Sequence, residues 1–210
     1  MRNLTRSLSS FAGVVILTAT SLVHADDVAR AGVSEAVWMP QTISFTYRSE
    51  GRTYSCSILE YKISMILKRL GAREELEVRN DGCRDLATRA TFQLFLASPV
   101  EATQENIHRV TEYSSQDELI ARLHATKLPS SNDVERFPAA WESISFRRDR
   151  RLEIEAADCA LIQQLRRQVL PKMSIQVTSD ITNLDCSQEL TGIARPRLVV
   201  EALLPVSSLQ

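Results

Sequence analysis

Four cysteines, two histidines within the body of the chain and one dense run of arginines are the side chains here whose type and spacing could support chemistry. Cys56, Cys83, Cys159 and Cys186 contain no C-x-x-C pair, so a thiol oxidoreductase has no motif to work with. They also lack a close pair of metal-ligand spacing, and only His108 and His124 could complete a zinc site. Those histidines fall on different expected elements, which suits surface positions better than shared catalysis. Serines are common but none sits in G-x-S-x-G or S-x-x-K. Dinucleotide and phosphate-loop signatures are absent, and no metal or cofactor is expected. Any two of the 26 carboxylates could meet in a fold, so a glycosidase-like pair cannot be nominated without geometry.

The run Arg147-Arg148-Asp149-Arg150-Arg151 is the strongest local charge feature. Arg147, Arg148, Arg150 and Arg151 are candidate anion-binding residues, able to meet several phosphates of an anionic polymer. The plainer alternative is a solvated strand end, balanced by Glu153, Glu155 and Asp158. The whole chain carries 25 basic and 26 acidic side chains, which argues against a polybasic nucleic-acid binder.

Residues 1–25 have the grammar of a secretory signal peptide. Arg2 and Arg6 form a positive start, Phe11 to Val23 an apolar core, and Val23-His24-Ala25 a cleavage site before Asp26. That core is too short for a span, and Thr18, Thr20 and Ser21 interrupt it. No later stretch approaches the length a membrane helix needs. The expected product is soluble and periplasmic or secreted, and slightly acidic once Arg2 and Arg6 are gone.

Export decides how the cysteines read. An even number in an oxidising compartment points to disulfides. Cys56 and Cys83 are 27 residues apart, as are Cys159 and Cys186, and the pairs are offset by 103. Equal spacing favours Cys56–Cys83 and Cys159–Cys186. Each bridge contributes about 3.6 kcal/mol in the loop-entropy picture.

The same offset recurs elsewhere. Trp38 and Trp141 are also 103 apart, and each is soon followed by Ile-Ser-Phe, at 43–45 and 144–146. After each first cysteine the apolar residues take helical spacing: Leu59, Ile63, Ile66 and Leu70, then Ile162, Leu165 and Val169. Ser55 and Asp158 stand as N-caps, while Gly71 and Pro171 end the helices. Alternating strands around Val78 and Val177 follow, then apolar strands 91–96 and 197–202. The strand before the second cysteine is offset by 99 rather than 103, so the match needs length changes. The expected fold is α+β: two tandem βαββ-like units, each with one crossover helix on a small sheet and one internal disulfide. Residues 26–128 would hold the first unit with a connector helix, and 129–210 the second. Within the connector, 107–111 reads as a strand, and Ser115 to Glu118 as a capping box before a short helix with Leu119, Ile120 and Leu123 on its apolar side. Residues 26–36 and 206–210 read as chain ends.

These readings favour an exported, non-catalytic binding module, an adaptor or an inhibitor, whose partner is another envelope or extracellular protein. An anionic polymer is a further candidate partner, and nucleic acid is disfavoured. The alternatives are an envelope hydrolase whose carboxylates or histidines converge only in the fold, and a small-ligand binder in the groove between the units. Non-reducing peptide mapping should join Cys56 to Cys83 and Cys159 to Cys186. A peptide joining Cys56 to Cys159 would sink both the pairing and the repeat.

Overall fold

A computed structural model describes residues 32–49, 53–180 and 196–206. The expected signal peptide and Cys186 lie outside these residues, as do 26–31 and 207–210. Six strands form one sheet: β1 (Val33–Arg48), β3 (Glu77–Asp81), β5 (Arg89–Glu101), β6 (Arg136–Ser145), β7 (Gln176–Asp180) and β8 (Leu198–Pro205). Their order across the sheet is β3-β5-β1-β6-β8-β7, with every neighbour antiparallel. A two-residue ladder joins β2 (Tyr54–Ser55) to β4 (Leu86–Ala87). The helices are α1 (Cys56–Arg69), α2 (Gln104–Val110), α3 (Ser115–Leu123) and α4 (Cys159–Gln168). This is a mixed α+β fold with an antiparallel sheet.

Alternation in β1 puts Ile43, Phe45 and Tyr47 on one face and Thr42, Ser44 and Thr46 on the other. Register carries that division across the sheet. Ile43 lies opposite Leu94, Phe45 opposite Phe92, and Ile144 opposite Val200. α1 and α4 cover this apolar face with Leu59, Ile63, Ile66 and Leu67 from one helix and Leu161, Ile162 and Leu165 from the other. Burial of each such side chain contributes about 1.5–3 kcal/mol. One continuous core results, with the Phe45 and Phe92 rings stacked 6.3 Å apart.

The expected start of α1 is observed: the Ser55 hydroxyl accepts from the Ile58 amide at 3.3 Å. Cys56, the first helical residue, is bonded to Cys83 with the Cα atoms 6.0 Å apart. The bridge ties the helix start to the segment leading into β4. Cys159 opens α4 as expected and is not a free thiol; its expected partner, Cys186, is outside the described residues.

Several expectations need correction. Residues 107–111 do not form a strand. Thr103 accepts from the Asn106 amide and starts α2, whose Ile107 and Val110 pack toward Val37 and Val100. Ser114 and Asp117, not Ser115 and Glu118, make the capping box of α3. Leu119, Ile120 and Leu123 of α3 are exposed, and Ala121 is its buried residue. β1 begins at Val33, inside the segment expected to be a loose end, because Val33–Val37 pairs with β6. The strand expected over 91–96 runs on as β5 to Glu101, with Pro99 inside it opposite Trp38. Asp158 gives α4 no side-chain cap, because its carboxylate is engaged elsewhere.

β1 and β6 pair only over Val33–Val37 and Arg136–Ala140, and β1 continues to Arg48 without β6 beside it. Two glutamines of α4, one turn apart, fill in for the missing strand. Gln168 accepts from the Thr46 amide at 2.9 Å and donates to its carbonyl at 2.9 Å. Gln164 does the same at Arg48, at 2.7 and 2.8 Å. An open sheet edge is thereby satisfied by side chains.

Gly71 follows α1 with φ +97°, and a Cβ there would lie 2.9 Å from Leu204 Cδ2 and 3.0 Å from the Leu203 carbonyl oxygen. Both the backbone angle and the fixed carbonyl require glycine. Gly71→Ala should cost about 1–3 kcal/mol in urea unfolding, with the slope unchanged. An unshifted midpoint would contradict the packing of α1 against β8.

Candidate functional site

The arginine run lies where β6 ends and the chain turns toward α4. The amides of Arg148 and Asp149 both donate to the Ser145 carbonyl, at 3.0 and 2.9 Å, which folds the chain back at once. Asp149 Oδ1 then accepts from the Arg151 amide at 3.0 Å and opens a short 3₁₀ turn over Arg150–Leu152. Leu152 and Ile154 are buried in the core and pin the far side of the turn. Arg147, Arg148, Arg150 and Arg151 remain exposed.

A groove of about 760 Å³ opens against this turn. Its floor is Ser143, Ile144 and Ser145 of β6 and Val199 of β8; Ser179 of β7 and Arg197 form one side. Arg69, in the last turn of α1, closes the other. Six guanidinium groups therefore face two carboxylates, Glu142 and Asp149. Among the described residues no aromatic side chain lines the groove. All four arginines singled out by sequence are brought together here. Arg69 and Arg197 were not legible, because only the packing of α1 and the pairing of β6 with β8 carry them to the turn.

The two acids are already occupied. Arg69 Nη2 donates to Glu142 Oε1 at 2.6 Å, and its Nε donates to Asp149 Oδ2 at 2.6 Å. Arg151 stands 3.5 Å from the other Asp149 oxygen. Among the described residues, Arg147, Arg148, Arg150 and Arg197 form no ion pair. Burial pushes the Asp149 carboxyl up, but the hydrogen bonds from Arg69 and the Arg151 amide, with the charges of both arginines, outweigh it and hold it below the ordinary carboxylate range. Burial likewise pulls Arg69 down, and its bonds to Glu142 and Asp149 outweigh that and raise it. A general acid needs the opposite displacement, so Asp149 is poorly suited to proton donation at neutral pH.

A second groove of about 760 Å³ runs past Pro40, Thr42, Phe95 and Asp117, but its Arg73 is paired with Glu75 at 3.2 Å. The lining there is net acidic, with Glu75 and Asp117 against one arginine. His108 lies on α2 and His124 at the end of α3, and among the described residues no three His, Cys, Asp or Glu side chains are grouped to hold a metal. Of the tyrosines, Tyr47 and Tyr54 are buried and pack edge to face at 5.9 Å, whereas Tyr61 is exposed.

A separate polar cluster lies behind the turn. Asp158 is fully buried. Its Oδ1 accepts a short hydrogen bond from the Tyr54 hydroxyl, and Oδ2 accepts from Lys62 Nζ at 2.9 Å and the Glu155 amide at 2.8 Å. Both carboxylate oxygens accept from protein donors, so the cluster is structural rather than open to substrate.

A scan against protein-family models and searches of curated proteins and of solved structures find nothing that matches this chain. No helix among the described residues is long and apolar enough to cross a membrane.

Asp158→Ala should cost about 3–5 kcal/mol, because it strands the nearly buried Lys62 ammonium without its counter-charge. Chemical denaturation measures this. A loss below about 1 kcal/mol, the range of an exposed pair, would show that Lys62 reaches water instead.

Proposed function

We propose that the protein is an exported, disulfide-stapled binding module that holds an anionic polymer in the arginine groove. The observation that carries this reading is the convergence of four arginines that form no ion pair among the described residues: Arg147, Arg148 and Arg150 on a turn fixed to the core, and Arg197 across the groove. Guanidinium groups match phosphate, sulfate and carboxylate oxygens in bidentate fashion. The three serines beside them add hydroxyl donors. Among the described residues the lining holds no stacking platform for bases, which favours a polymer without nucleobases. Catalysis has less support: the groove's two carboxylates are bound to one arginine, and Asp149 is held ionised.

Export is supported by the Cys56–Cys83 bridge and by the leader-like composition of residues 1–25. We also read the fold as a duplicated βαββ unit. The strand orders β3-β5-β1 and β7-β8-β6 run the same way outward to inward, and each unit opens its helix on a cysteine. Ile43 opposite Leu94 has its counterpart in Ile144 opposite Val200. A protein partner is the second reading, favoured by Leu119, Ile120 and Leu123 of α3, which turn apolar surface to solvent.

Fluorescence-anisotropy titrations of the oxidised protein lacking residues 1–25 test the proposal. Labelled polyphosphate and dextran sulfate should bind, with a log–log salt slope of about −3 for four contacts. Arg148→Glu with Arg150→Glu should weaken binding about tenfold or more, since each reversal replaces attraction with repulsion. No binding at low salt would refute the groove reading. Preference for polyglutamate or for acidic proteins would transfer it to a protein partner.

A further inference from the structure

We propose that Arg69 is the positioning residue of this groove: by holding Glu142 and Asp149 it keeps the neighbouring arginines free for the ligand. The inference rests on the anion-binding reading above and goes beyond it, because Arg69 comes from a different helix and acts through the two acids.

The geometry sets Arg69 apart from the other five arginines. Its side chain is 11% exposed, and two of its nitrogens are committed to carboxylate oxygens at 2.6 Å. Its place in the last turn of α1 suits a cation, since the helix end presents unpaired carbonyls. The helix is in turn fixed by its buried stripe, so the guanidinium is held in place before any ligand arrives.

Asp149 lies in sequence between Arg148 and Arg150, and Glu142 lines the same groove. Without Arg69 the two carboxylates would be left among guanidinium groups of opposite charge. They would pair with those groups, and each pair formed would withdraw one anchor and place negative charge where the ligand's anion has to sit. Charge is thus sorted within the site: one arginine takes both acids, and four others are left for the ligand.

The groups around Asp149 are Arg69 from α1, Glu142 from β6, Arg147, Arg148, Arg150 and Arg151 of its own turn, Arg197 with Ser179 across the groove, and Glu153 and Glu155, which line a smaller cleft with Asp149 and Arg150. In Arg69→Met protein the Asp149 carboxyl would lose its Arg69 hydrogen bond, and on acidification it becomes neutral and releases the arginines. Sulfate esters stay charged throughout, so dextran sulfate reports on the protein alone.

The test compares wild type, Arg69→Met, Arg69→Lys and the triple variant Arg69→Met/Glu142→Gln/Asp149→Asn, each with its thermal unfolding. Arg69→Met should weaken dextran sulfate binding about tenfold at neutral pH, as internal charge-assisted pairs replace ligand contacts. Its binding should recover on acidification, and Arg69→Lys should restore part of the loss at neutral pH. The triple variant should bind within about threefold of wild type although it lacks Arg69, because no acid remains to compete. If Arg69→Met does not fold, the triple variant, which leaves no buried acid unpaired, carries the test alone. A folded triple variant as weak as Arg69→Met, or an Arg69→Met protein that binds like wild type, overturns the proposal. Failure of wild type to bind would instead remove the groove reading itself.

Discussion

A carboxylate with no access to water can persist as an anion only if the fold brings donors to it. Asp158 is such a group, and its donors come from distant parts of the chain. Tyr54 and Lys62 reach it from β2 and α1, about a hundred residues earlier in sequence, while the Glu155 amide comes from the turn just before it. Satisfying this one charge fixes the start of α4 against α1. The helical layer is therefore set by a polar contact as well as by apolar burial. Hydrophobic packing alone tolerates sliding and rotation of helices on a sheet, and directional bonds to a buried anion tolerate little.

Once the helices are fixed, the sheet between them is constrained too. β1 and β6 pair for only five residues and then part, and a parted edge leaves backbone groups unpaired. α4 lies close enough to supply Gln164 and Gln168 to the β1 side. The arginine groove lies over β6, β8 and β7, and Arg69 of α1 reaches it to bind Glu142 and Asp149. The helix that supplies Lys62 to Asp158 thus also supplies Arg69 to the groove. Ser145, at the end of β6, joins that strand to the groove, since its carbonyl receives the amides that start the arginine turn.

The elements that sequence made legible are those governed by local periodicity and by capping. The Leu59, Ile63 and Ile66 stripe, the Ser55 cap, Gly71 and the Cys56–Cys83 pairing all follow from residues close together in the chain or from matched spacing. Residues 107–111 misled because β-branched Ile107, Val110 and Thr111 suit a strand, whereas the three-residue spacing of Ile107 and Val110 fits one helical turn. Tertiary contact with Val37 and Val100 decided it, aided by the Thr103 cap. The α3 stripe has a helix's periodicity, but periodicity does not say whether a core lies opposite, and here none covers Leu119 or Leu123. Asp158 carried the sequence signature of an N-cap, and that same small carboxylate was drawn into a longer-range network instead. The arginine run was visible, whereas its sorting by Arg69 required knowing where α1 ends.

If the two halves descend from one unit, as we propose, the arginine turn belongs to one of them only. The residues that follow Ile43-Ser44-Phe45, as Arg147–Arg151 follow Ile144-Ser145-Phe146, read Thr46-Tyr47-Arg48-Ser49-Glu50, with one arginine and one acid. A duplicated scaffold frees one copy from keeping the ancestral surface, provided the core and the staple are kept. In the second half that freedom went into charge. Four exposed arginines on a short turn repel one another, and like-charge crowding destabilises a turn unless something anchors it. Leu152 and Ile154, buried on its far side, supply the anchor through apolar contact. Asp149 supplies a second through Arg69. A surface patch needing only net charge for solubility would not require either anchor, since flexible lysines would serve. Rigid placement of arginines has a cost in repulsion that is best explained by a ligand whose own charges match that spacing.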